Sequence, residues 1–191
     1  MSAMIRDAEA TKKRILEAAL QEFATHGIAG ARVDKIAEIA RSNKAQIYYY
    51  FGNKEGLFDA VFNALCVEGL RATPIDITDL PGYAGHLFDN FEDHPEIARL
   101  TTWYRLERAG SAEPLTIVLE SLQGKANTIA QAQQAGLLSS HYAPADLLGL
   151  ILHLSMLWAS ATPEFEVLIS GQSRSHRRKV VTDAVRGLLT Q

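Results

Sequence analysis

The chain almost nowhere alternates apolar and polar residues with period two; its apolar side chains recur three and four apart, in stretches dominated by Ala, Leu, Glu and Gln. That spacing gathers side chains on one face of a 3.6-residue helix, and those residue types enter helices at little cost. The chain therefore reads as all-α. Glycine and proline cut the pattern into segments. A first helix over 9–26 carries Ile15, Leu16, Ala19, Leu20 and Phe23 in its apolar stripe, and Gly27 stops it. A short helix over 33–40, a break over 41–43, a helix over 44–50 and another over 54–72 follow. After the turn-rich stretch TPIDITDLPG, a helix over 80–93 is capped by Thr78 or Asp79, and Pro95 opens one that ends before Gly110. Helices over about 113–135, 144–161 and 175–189 complete about nine, with Gly136, Pro144 and Pro163 as punctuation.

At 191 residues and 47% hydrophobic, the chain can bury a substantial core. Its net charge of -3 hides an asymmetry: residues 1–54 carry nine Lys/Arg against six acids, and the remainder ten against sixteen. A local basic region is what a phosphate-binding footprint requires. Cys66 is the only cysteine, so intrachain disulfides and cysteine-based zinc sites are excluded. The first residues lack an apolar signal core, and the most apolar run, 147–161, is shorter than the roughly 20 residues that span a bilayer. A cytoplasmic protein without membrane association is the expectation. No G-x-S-x-G, H-E-x-x-H or glycine-rich phosphate loop is present, and the six histidines are scattered, so neither an enzyme nor a metal or cofactor site is expected.

The stretch KAQIYYYFGNKEGLF, residues 44–58, places four aromatics side by side. On a helix each residue turns about 100°, so the four cannot share one face. Ile47 and Phe51 point inward together, while Lys44, Ala45, Gln46, Tyr48, Tyr49 and Tyr50 look outward and Asn43 caps the start. Lys and Tyr reach phosphate oxygens, and Gln pairs with adenine in the major groove. By itself such a face serves a protein interface equally well. The preceding short helix and three-residue break, however, give the length pattern of a helix-turn-helix.

With RILEAALQEFATHG as first helix, IAEIA as second, NKAQIYYYF as recognition helix and NKEGLF opening the fourth, residues 11–57 resemble the DNA-binding domain of the TetR family of bacterial regulators. The resemblance implies a three-helix reading head over 1–53 and a larger helical ligand-binding and dimerisation domain over 54–191. It implies that Lys44, Ala45, Gln46 and Tyr49 face the major groove while Tyr48, Tyr50 and Lys54 hold phosphates, beside Asn43. Two departures from the family pattern stand out. Arg41 and Ser42 occupy a turn that commonly has glycine and an apolar residue, and Arg32 replaces the usual Thr or Ser cap of the second helix. Either the turn changes shape or the two arginines add phosphate contacts. Arg6 and the run Thr11, Lys12, Lys13, Arg14 could reach DNA or merely begin an exposed helix; the late basic run SRSHRRK reads as a solvated face or as a partner for acidic residues.

The resemblance also implies a small-molecule effector among the middle helices, for which Phe62, Phe91, Trp103, Tyr104, Asn127, His153 and Trp158 are candidates, each of which plain core packing also explains. The apolar helix has Leu, Ile, Met and Trp on several faces, and pairing it and the last helix with a second copy would cover them. The whole reads as a homodimeric, ligand-responsive repressor on double-stranded DNA. A ligand-independent regulator or activator, and a helical interaction or carrier protein, are the alternatives.

Overall fold

The computed structural model of the protein describes residues 2–108 and 114–190, without the side chains of 2–6 and 70–72. Among the described residues it contains ten α-helices and no strand: α1 Ser2–Gly30, α2 Val33–Ile39, α3 Lys44–Phe51, α4 Lys54–Ala72, α5 Leu80–Asp93, α6 Pro95–Arg108, α7 Thr116–Gln134, α8 Pro144–Ser155, α9 Pro163–Leu168 and α10 Arg174–Leu189. They fall into two compact units, one of residues 1–67 and 99–115, the other of 68–98 and 116–191. This structural division does not follow a cut after residue 53. The expected helix end before Gly110 and the side chain of Arg6 lie outside the described residues, and the helix expected from about Glu113 begins only at Thr116, after Pro114 and Leu115.

In the first unit the stripe of α1 closes over α2–α4. Ile15, Ala19, Phe23, Ile36, Ile47, Leu57 and Phe58 are fully buried, with Phe23 and Phe58 edge to face at 5.2 Å between ring centroids. Phe62 and Tyr104 stack at 4.2 Å beside them. Helical structure in α1 extends beyond the expected 9–26 at both ends, but its regular course breaks at Gly27 (φ 68°, ψ -177°). A side chain there would meet Trp103 and the Glu107 carboxylate within 2.9 Å, so glycine is needed for space as well as for φ.

In the second unit Leu80, Tyr83, Ala84 and Phe88 of α5 pack with Ile129 of α7, Leu147, Leu148 and Ile151 of α8, and Val181 and Val185 of α10. Asp79 caps α5 by accepting from the Gly82 N–H at 2.8 Å, and Gly136 (φ 71°) follows the end of α7. The basic run SRSHRRK opens α10; its arginines pair with acids of α5 and its Lys179 with Asp183 of α10. Arg174 binds Asp93 at 2.6 Å and Asp89 at 3.2 Å, Arg178 binds Asp89 at 2.7 Å across Gly85, and Arg177 pairs with Glu92.

The apolar helix is shorter than the expected 144–161. After Ser155, whose hydroxyl donates to Ile151 O at 2.8 Å, the chain tightens into i→i+3 bonds (Met156 N–H to His153 O, 3.2 Å), and a 3-10 turn spans Trp158–Ser160. Thr162 then caps the unexpected α9, which Pro163 opens rather than closes. The apolar run continues past Ser155 to Ala161, so its hydropathy conceals the helix end.

Candidate nucleic-acid interface

The α2–turn–α3 segment is built by backbone bonds that its sequence supports unevenly. At the end of α2, Ser42 N–H donates to Ala37 O (2.9 Å) and Arg41 N–H to Glu38 O (3.2 Å), the bond pair that closes a helix around a left-handed residue. Arg41 occupies that position at φ 51°. The turn thus keeps the glycine geometry, with no change of shape, at a cost of about 1 kcal/mol. Arg32 stands at the N-cap of α2 without any side-chain cap bond. Its own N–H donates instead to Glu22 Oε1 of α1 at 3.0 Å, a buried carboxylate that satisfies the N-cap residue's own donor, as the glutamate of a capping box does, and adds favourable charge at a helix N-terminus.

Asn43 Oδ1 accepts from Gln46 N–H at 2.8 Å and starts α3; Gly52, at φ 77°, ends it. Ile47 is fully buried and Phe51 half-buried, as the helical reading requires. On the opposite side Lys44, Ala45, Tyr48 and Tyr49 form an exposed stripe, with Tyr49 84% exposed. Such exposure of a tyrosine leaves the ring and hydroxyl available to a partner. Gln46 is half-buried and its Oε1 accepts from the Ser42 hydroxyl at 2.7 Å, which orients the side chain. Lys44 is not stacked over Tyr48; its Nζ lies 3.2 Å from Asp34 Oδ2, in an exposed pair worth little against a phosphate. Tyr50 leans on Tyr49 (5.4 Å) and lies under Lys12 Nζ (5.5 Å), which brings the start of α1 to the same surface. Arg32, Arg41 and Asn43 are exposed around it.

Lys54 is placed differently. Its Nζ donates to Ala29 O (3.1 Å) and Ala31 O (3.3 Å), the carbonyls of the α1–α2 connection. Glu22 and Glu107 also engage this region, and neither was foreseeable: their backbone partners lie 10 and 79 residues away in sequence.

The effector candidates divide between the units. Phe62, Trp103 and Tyr104 belong to the first, where Phe62 and Tyr104 stack on each other and Trp103 lies against Gly27. Phe91, Asn127, His153 and Trp158 belong to the second. Trp158 meets Phe88 edge to face at 6.3 Å, and its buried Nε1 has no hydrogen-bond partner. Asn127 is exposed, and so is His153, whose Nδ1 lies 2.8 Å from Gly149 O beside an open cleft of ≈ 540 Å³ lined by Tyr142, Asp146 and Leu150.

Residues 15–61 match the family described as bacterial regulatory proteins, tetR family, and residues 79–187 match that described as tetracyclin repressor-like, C-terminal domain. The chain is 38% identical over 167 residues to the HTH-type transcriptional repressor SCO4008 of Streptomyces coelicolor, covering 87% of this chain and 86% of that one. It is 30% identical over 165 residues to the HTH-type transcriptional regulator RutR of Escherichia coli, covering 81% and 74%. The crystal structure of the regulator SCO4942 from Streptomyces coelicolor superposes with a TM-score of 0.83 at 42% identity, over 93% of this chain and 97% of that one.

Proposed function

The chain belongs to the TetR family of DNA-binding transcriptional regulators, and from that premise we propose that it is a homodimeric repressor released from a near-palindromic operator by a small molecule. The observation that carries the reading is the stripe Lys44, Ala45, Tyr48, Tyr49 on a short helix capped at both ends and set by a tight turn. Tyr49 and Gln46 address base edges; Lys44, Tyr48, Tyr50, Arg32 and Arg41 address phosphates, with Asn43 at the helix start. Residues 1–53 do the reading, and 54–191 receive the effector and dimerise. Exposed Leu150 and Leu157 near Gly149 on and after α8, with Val180 and Gly187 on α10, support a two-fold contact through these helices. Such a dimer requires half-sites about one helical turn apart, ~34 Å, or a multiple of it. An effector favouring a head spacing that mismatches the operator weakens binding by its differential affinity for the two states. No helix of the described residues is long and apolar enough to cross a membrane, and the reading places the protein in the cytoplasm.

The test is selection of duplexes by the protein from a random pool. An inverted repeat is expected, and Tyr49→Ala should change the preferred half-site while keeping salt-dependent binding. Recovery of no enriched duplex would sink the reading; an inverted repeat that no metabolite releases would leave a ligand-independent regulator.

A further inference from the structure

The break at Gly27 leaves a backbone donor to be satisfied. With ψ near 180° at residue 27, the Ile28 N–H does not continue the α1 ladder, and it is bound instead by Glu107 Oε1 of α6 at 2.8 Å. Trp103, one turn earlier on α6, lies against Gly27, and Arg108 beside Glu107 binds Asp59 of α4 at 2.5 Å. At the far end of the same connection the Ala29 and Ala31 carbonyls are held by Lys54 Nζ, and the next donor, Arg32 N–H, by Glu22. Three side chains from α1, α4 and α6 thus supply hydrogen-bond partners to residues 28–32, from the break in α1 to the start of α2. Ala31 N–H to Gly27 O, at 3.2 Å, closes a turn over the same residues.

We propose that Glu107 and Lys54 are positioning residues that clamp the α1–α2 connection and thereby set the orientation of α2 and α3, and that Lys54 acts there rather than on a phosphate. The chemistry explains the residue types. A helix start with a free N–H takes an acceptor, best a carboxylate, and paired carbonyls take a cation with several donors. The Glu107 clamp comes from an element, α6, that contributes nothing to the reading surface.

The proposal rests on the DNA-reading assignment of α3 for its effect on affinity, but the clamp itself can be measured without DNA. Hydrogen exchange of the full-length protein is compared for wild type, Glu107→Gln, Glu107→Ala and Lys54→Met. Glu107→Gln keeps an acceptor and Glu107→Ala does not, while both remove the same charge. Faster exchange at residues 28–32 is expected in Glu107→Ala and Lys54→Met but not in Glu107→Gln; equal exchange in the Gln and Ala variants, or wild-type exchange in Lys54→Met, overturns the clamp. The second arm titrates the duplex recovered by selection over a range of salt. Glu107→Ala and Lys54→Met should each weaken binding about tenfold while the slope of log K against log salt stays at the wild-type value. A lysine on a phosphate would lower that slope by about 0.9 per copy, ~1.8 for a dimer. That loss, or wild-type affinity in both variants, overturns the positioning role. A wild type that binds no duplex removes the DNA-reading premise and with it the positioning of α3, while the exchange arm still decides whether the clamp exists.

Discussion

Single residues carry the sharpest physical consequences. Tyr83 is almost fully buried, its hydroxyl has no hydrogen-bond partner, and burial pushes its pKa up to about 12. An orphaned buried hydroxyl costs on the order of 1–3 kcal/mol relative to one that is bonded, whereas phenylalanine of the same shape has nothing to orphan. Tyr83→Phe is therefore expected to stabilise the protein by about 1 kcal/mol in a urea titration near neutral pH. The pH dependence follows from the same residue. The unfolded chain releases the Tyr83 proton near the ordinary value of ~10 and the folded chain near 12, so the contribution is complete below the lower value and is lost as pH rises through this window. The phenylalanine variant should show a shallower alkaline decline than wild type. An unchanged decline would mean that Tyr83 is not the group responsible. Gly27 and Arg41 show the same φ region used in two ways. The glycine has no room for a Cβ beneath Trp103, while the arginine accepts strain in an exposed turn whose backbone bonds hold it.

At the scale of elements, α3 stands out because its eight residues are too few to be helical alone. It depends on its caps and on burial of Ile47, and the Asn43 cap is local enough to be read from sequence. Asn43→Ala should cost about 1 kcal/mol by chemical denaturation, and should weaken duplex binding further than that loss alone explains if Asn43 also meets a phosphate. Equal effects on stability and binding would assign it to capping only. The α5–α10 pair was partly legible: the stripe of α5 and the basic start of α10 are visible, but not that Arg174, Arg177 and Arg178 would meet Asp89, Glu92 and Asp93. Hydrogen bonding to Arg174 holds the Asp93 carboxyl below its usual range, so its favourable interaction fades only as acid protonates that carboxyl. Beyond α8, the apolar run to Ala161 hid a helix end and a 3-10 turn, and α9, whose residues are exposed, carries no apolar stripe to announce it.

For the whole molecule, the proposed dimer makes α8 the element to challenge. Leu150 is half open to solvent in a single chain, so Leu150→Asp should leave the fold intact, yet a charge sealed in a two-fold contact is costly. Sedimentation should show a monomer, and duplex binding should fall at least tenfold; a variant that remains dimeric would move the interface elsewhere. What the sequence determined by itself is what acts within a turn or two of chain: the helical class from apolar period, the cap at Asn43, a cap at Thr78 or Asp79 that the structure resolves to Asp79, the break at Gly27, and the division of the aromatic run into an inward Ile47–Phe51 pair and an outward Tyr49. What only the tertiary structure decided is which side chains are spent inside the protein. Lys54 Nζ is met by the carbonyls of Ala29 and Ala31, and the Arg32 N–H at the start of α2 by the Glu22 carboxylate. Glu107 shows no role at all until it meets Ile28. A capping bond three residues away is written in the local spacing, whereas a partner 79 residues away exists only after packing has brought two helices together, because hydrogen bonds act over about 3 Å and local spacing says nothing of that distance.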